Sequence, residues 1–89
     1  MSQAALSGKN YVVTGANSGI GFFSARRFAQ LGANVALVCR NEQRGNEAVT
    51  EIIATTGNAN ISLYLADFSS LASVSEMADN LLRDIPKID

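Results

Sequence analysis

Thr14-Gly15-Ala16-Asn17-Ser18-Gly19-Ile20-Gly21 is the stretch that decides the fold of this chain. A short apolar run, Tyr11-Val12-Val13, precedes it. After it, Ile20, Ser24, Phe28 and Leu31 recur near helical spacing, and Ala25 and Ala29 are small enough to dock closely on a sheet. The apolar run lacks polar alternation, which predicts a strand buried on both faces, as in a parallel sheet. A strand that ends on a glycine turn and feeds a helix can hold a diphosphate. Gly15 lets the chain leave the strand tightly, Gly19 lets backbone approach the anion, and Gly21 lets the new helix lie close to the strand. Amide N–H groups at the helix start, reinforced by its dipole, face the negative charge. Asn17 and Ser18 add side-chain donors beside them. The spacing is Gly-x-x-x-Gly-x-Gly, not the commoner Gly-x-Gly-x-x-Gly, and no Lys-Ser/Thr pair follows, which excludes a mononucleotide P-loop. The alternative is a sharp βα turn that binds nothing; the strand before and the helix after favour a dinucleotide site.

Two further strand–helix units follow outward from this turn. The first helix is predicted over about Ile20 to Leu31, with Gly32 in the left-handed position after it. Val35-Ala36-Leu37-Val38-Cys39 reads as a second strand. A second helix from Glu42 to Thr56 has Asn41 as N-cap, Gly57 as stop, and Ala48, Val49, Ile52 and Ile53 as its inner stripe. Ile61-Ser62-Leu63-Tyr64-Leu65 reads as a third strand. The third helix begins near Ser70 and carries Leu71, Val74, Met77, Leu81, Leu82 and Ile85 on one face, ending at Pro86. The order β-α-β-α-β-α with short connections predicts an α/β fold. It is a partial Rossmann unit of three parallel strands flanked by three helices.

Composition narrows the function classes. The 89 residues suffice for one small domain, with 47% hydrophobic and 17% charged residues as in ordinary globular sequences. Seven basic against eight acidic residues give a net charge of −1, with no basic run, so nucleic acid is not an expected partner. There is no histidine and one cysteine, Cys39, which excludes imidazole chemistry, an internal disulfide and a cysteine-rich zinc site within this chain. No uncharged apolar stretch approaches the roughly 20 residues needed to cross a bilayer, and the N-terminus lacks a signal-peptide pattern. A cytoplasmic location is the expectation.

Three segments together, Thr14 to Gly21, Leu37-Val38-Cys39-Arg40-Asn41 and Leu65-Ala66-Asp67-Phe68-Ser69-Ser70-Leu71, carry a resemblance that covers nearly the whole chain. It resembles the N-terminal, coenzyme-binding part of the short-chain dehydrogenase/reductase family, and is most similar to the retinol-dehydrogenase-like branch. The resemblance implies that residues 1–89 are the first half of a dinucleotide-binding domain. It further implies an oxidoreductase that moves hydride between a nicotinamide cofactor and an alcohol or carbonyl substrate. The implied cofactor residues are Gly15, Asn17, Ser18, Gly19, Ile20 and Gly21 at the phosphate turn, Arg40 and Asn41 after the second strand, and Asp67 and Phe68 after the third.

The end of the second strand bears on which cofactor is used. Cys39 stands where NAD-preferring relatives carry an acid, and Arg40 follows. A guanidinium can pair a 2′-phosphate bidentately and stack on adenine, so the expectation is NADP(H) rather than NAD(H). The other reading of Arg40 is a solvated loop arginine. Ser18 occupies the position where some NADP-preferring relatives have a second basic residue, and Arg44 reads as an exposed i,i+3 partner for Glu47. Asp67 matches the family's acceptor for the adenine amino group; its other reading is a cap for the third helix with Ser69 and Ser70. Cys39 itself reads as a small neutral wall of the ribose site.

The resemblance places the catalytic serine, tyrosine, lysine and asparagine beyond the next strand. Tyr11 and Tyr64 lie in predicted strands, neither with a lysine four residues on, so no catalytic residue is assigned by position. In the sheet order 3-2-1-4-5-6 the first strand is interior. Without a fourth strand it is an open edge, and weak cofactor binding and inactivity of the isolated chain are the expectation. A non-catalytic NADP(H)-binding or interaction module, or an inactive fragment, is the alternative. Substrate identity is not legible, and a homo-oligomer is left open.

Overall fold

β2, Asn34–Cys39, organises the molecule: Val35 through Cys39 are all buried, the pattern of a strand covered on both faces. In this computed structural model, which describes residues 6–15 and 19–85, β2 lies between β1, Asn10–Thr14, and β3, Ile61–Leu65. Both pairings are parallel, with Val13 opposite Leu37 and Leu37 opposite Leu63. The helices α1, Gly19–Gln30, α2, Glu42–Thr56, and α3, Leu71–Asp84, alternate with the strands. This is the α/β order β-α-β-α-β-α of a partial Rossmann fold.

Side chains alternate along β2, and so do the layers. Val35, Leu37 and Cys39 join a core with Ala25 and Ala29 of α1 and Ala48 and Ile52 of α2. Val38 faces the other way, into a smaller core with Ala66 and Leu81 of α3, with Met77 and Ile85 beside it. The alanines of α1 let its axis approach the sheet, and Phe28 stacks on Tyr11 of β1 at 4.5 Å with the rings 7° from parallel.

Local chemistry sets the helix limits. The Asn41 side chain accepts the N–H of Arg44 at 2.9 Å, and Gly57, at φ 74°, donates its N–H to the Ile53 carbonyl. Ser70 caps α3 by accepting the N–H of Ser73. α1 starts and ends one residue earlier than the periodicity predicts. Pro86 lies outside the described residues. At the far end of α3, the Tyr64 hydroxyl donates to Asp84 at 2.9 Å. Burial first, then this carboxylate, raise the Tyr64 pKa above its ordinary value.

Four expectations need correction. β1 is half-buried rather than enclosed on both faces, because it is the edge of the three-stranded sheet and no described helix covers the α3 side of it fully. Ile20 is 85% exposed, since it stands at the first turn of α1, beyond the strand ends. On α3, Leu71 and Leu82 are exposed at 89% and 57%, because the helix leans on the sheet chiefly through Leu81, Met77 and Ile85. Finally, Arg44 makes no ion pair with Glu47; among the described residues the ion pair present joins neighbours Arg83 and Asp84 at 3.5 Å.

Candidate functional site

Parallel strands deliver their C-terminal ends to one edge, and there the separate motifs meet. Thr14 pairs in register with Val38, and Cys39 with Leu65. The ladder runs on for one more step, through the Gly15 N–H to the Val38 carbonyl at 2.9 Å and the Ala66 N–H to the Cys39 carbonyl at 3.0 Å. Gly15, Arg40 and Asp67, far apart in sequence, therefore leave adjacent strands side by side.

The two glycines that flank the turn between β1 and α1 have the backbone that a tight phosphate-binding bend uses. Gly15 and Gly19 adopt φ values of 64° and 60°, which a side chain would strain. Gly21 has ordinary φ but no spare room: a Cβ there would overlap the Gly15 carbonyl oxygen and stand 3.2 Å from that of Thr14. Gly19, Ile20 and Gly21 form the first turn of α1, where N–H groups have no acceptor inside the helix. That first turn carries no acidic residue, so nothing there repels an anion. Asn17 and Ser18, expected at the same turn, lie outside the described residues.

Arg40 is exposed one residue beyond β2, directly before the cap of α2. Cys39 points elsewhere than expected: it is 2% exposed, within the core under α2.

Asp67 combines both readings of its sequence position. One carboxylate oxygen accepts the Ser69 hydroxyl at 2.6 Å and the Ser69 N–H at 3.0 Å, an Asx turn leading into α3, while Ser70 is the actual cap. The second oxygen makes no hydrogen bond within the described residues. Ser69 holds the Asp67 carboxyl below its ordinary value, with a smaller contribution from the Arg40 charge. The turn is thus favoured with Asp67 ionised. A depressed folded-state pKa means its contribution is full above the ordinary value of 3.8 and disappears as pH falls through the lowered one. Carboxyl chemical shifts of Asp67 followed by NMR should titrate below 3.8, and Ser69→Ala should return the midpoint toward it; an unshifted midpoint in the unmodified chain would contradict the turn. Phe68 is 56% exposed beside it.

Sequence reasoning missed two contributors. The Ser73 hydroxyl accepts the Asp67 N–H at 2.9 Å and so fixes the loop; its helix-start position is visible in sequence, its partner six residues back is not. Gly45 of α2 is buried against β3, and nothing in its helical context marks it except the cost of glycine there. A concavity of about 670 Å³ lies along the outer side of α2. Glu42, Glu47 and Glu51 line it, so it is the wrong sign for phosphates, and the strand-end cradle is the site to consider.

A family model described as short chain dehydrogenase matches residues 9–89. The chain belongs to that family. A WW domain-containing oxidoreductase of Gallus gallus is 49% identical over 74 residues, spanning 83% of this chain and 18% of the relative. Retinol dehydrogenase 11 of Homo sapiens is 41% identical over 83 residues, 93% of this chain and 26% of the relative. These similarities place the chain with the retinol-dehydrogenase-like short-chain dehydrogenases, as a part of their length. The L-sorbose reductase of Gluconobacter frateurii, solved in complex with NADPH and L-sorbose, superposes with a TM-score of 0.84 at 29% identity, over 100% of this chain and 33% of that one.

Proposed function

We propose that this chain is the NADP(H)-binding part of an oxidoreductase acting on an alcohol or carbonyl substrate, and that residues 1–89 form the first half of its dinucleotide-binding domain. The observation that carries the reading is the meeting of three chemistries at one sheet edge: the start of helix α1, an exposed guanidinium, and a carboxylate with one oxygen to spare among the described residues. Such a set suits a ligand with a diphosphate, a 2′-phosphate and an exocyclic amine. The NADPH-bound state of the L-sorbose reductase supports the choice.

In this reading Gly19, Ile20 and Gly21 offer the diphosphate their backbone N–H groups, Gly15 shapes the turn while its own N–H stays on Val38, and Asn17 and Ser18 add side-chain donors. Arg40 pairs the 2′-phosphate, with Asn41 holding the helix start behind it. The second Asp67 oxygen accepts the adenine amino group, and Phe68 lines the same pocket through its backbone. The cofactor supplies hydride chemistry; this chain's own residues bind and orient it. None of them is assigned a catalytic role.

Arg40→Ala in the full chain should raise the Kd for NADPH about tenfold, equivalent to ~1.4 kcal/mol, and leave that for NADH nearly unchanged. Parallel titrations of both cofactors check this. Equal loss of both, or no loss, would remove the 2′-phosphate from Arg40 and with it the NADP(H) assignment.

A further inference from the structure

Gly45 sits in the first turn of α2, four residues after the Asn41 cap, and its own N–H closes on the Asn41 carbonyl at 2.9 Å. It is buried. A Cβ at this position would stand 2.7 and 3.0 Å from the two terminal methyls of Leu63 on β3, and 3.4 Å from the Cβ of Cys39 on β2. Ordinary carbon–carbon contact is about 3.5–4.0 Å, so either Leu63 must turn aside or the helix start must lift by about an ångström. Leu63 is packed against the larger core and Cys39 is 2% exposed, which leaves little slack beneath.

The geometry points to Gly45 as a positioning residue for cofactor choice: its missing side chain seats the start of α2 on the ends of β2 and β3, and thereby sets where Arg40 stands. Arg40 is joined to that helix start through Asn41 alone. The three atoms nearest a Gly45 Cβ belong to Leu63 and Cys39, not to the described residues that flank the phosphate turn. Lifting the start of α2 should therefore act on the guanidinium directly, and on α1 only through the core that Ala25 and Ala29 share with Ala48 and Ile52. The inference rests on the proposed role of Arg40 and adds what places it.

The test uses the full chain, with NADPH and NADH titrated separately against Gly45→Ala, Leu63→Val and the double variant. Gly45→Ala should lower the NADPH-over-NADH affinity ratio about fivefold while NADH binding holds. Leu63→Val alone should leave the ratio unchanged, and in the double variant it should restore it, because the shortened side chain makes room for the new methyl. The double variant also keeps the test open if the single one folds poorly. A ratio that stays at its original value, or equal weakening of both cofactors, overturns the inference and leaves the NADP(H) reading intact. No preference between the cofactors in the unmodified chain overturns both.

Discussion

Gly21→Ala is expected to cost about 3 kcal/mol of folding stability and to weaken NADPH binding by about tenfold or more. The groups that a new methyl meets are the carbonyls of Gly15 and Thr14. Backbone cannot rotate aside as a side chain can. The turn is also anchored, since Gly15 donates to the Val38 carbonyl of the neighbouring strand at 2.9 Å. α1 must therefore move away, which draws Ala25 and Ala29, 0% and 2% exposed, off the sheet. Gly19→Ala provides the internal comparison. Among the described residues nothing lies within 4 Å of a Cβ there, and the positive φ is the strain that remains. Its stability cost should be about 1 kcal/mol. Urea denaturation of both variants in the full chain, with NADPH titration, tests the order. If Gly21→Ala proves as mild as Gly19→Ala, the close contact between helix and turn does not constrain the fold.

Asn58→Ala is expected to cost about 2–3 kcal/mol, although it lies at the sheet edge away from the candidate site. The Asn58 amide donates to the Ala33 carbonyl at 2.7 Å and the Ala29 carbonyl at 3.1 Å, and its oxygen accepts the Asn60 N–H at 2.9 Å. One side chain thus ties the α2–β3 connection to the α1–β2 connection. Ala33 is 0% exposed, so truncation leaves its carbonyl poorly supplied with solvent. Asn58→Asp should be worse at neutral pH, where a carboxylate would face two carbonyl oxygens. It should recover part of the loss as pH falls below about 4, where a protonated acid can donate again. Denaturant midpoints across pH measure both effects, and NADPH affinity of the folded protein should not change. A loss below about 0.5 kcal/mol for Asn58→Ala would show that the two connections hold together without it.

Asn58 also shows where sequence reading stops. Its partners lie 25 and 29 residues away, and nothing in the surrounding Gly57-Asn58-Ala59-Asn60 distinguishes a clamp from an ordinary turn. The caps of α2 are the opposite case. Asn41 and Gly57 act on groups within four residues, and the predicted limits Glu42–Thr56 agree with the structure at both ends. Asp67 falls between: its Asx turn with Ser69 is local and its cap-like reading was legible, but the Ser73 tether and the Arg40 charge beside it were not. Helical spacing identified the apolar residues of α3 yet could not say that Leu71 and Leu82 stay exposed while Leu81 is buried. That depends on how far the neighbouring strands extend beneath the helix.

By itself the sequence determined the order of elements, the limits Glu42–Thr56 of the second helix, and the glycine turn that opens the first helix. These depend on contacts between near neighbours and on which segments avoid water. Only the tertiary structure decided that Gly45 presses on Leu63, that Phe28 stacks on Tyr11, and that Gly15, Arg40 and Asp67 emerge together. The reason is geometric: such pairs arise when parallel crossovers bring distant residues into one register, and no local propensity encodes that register.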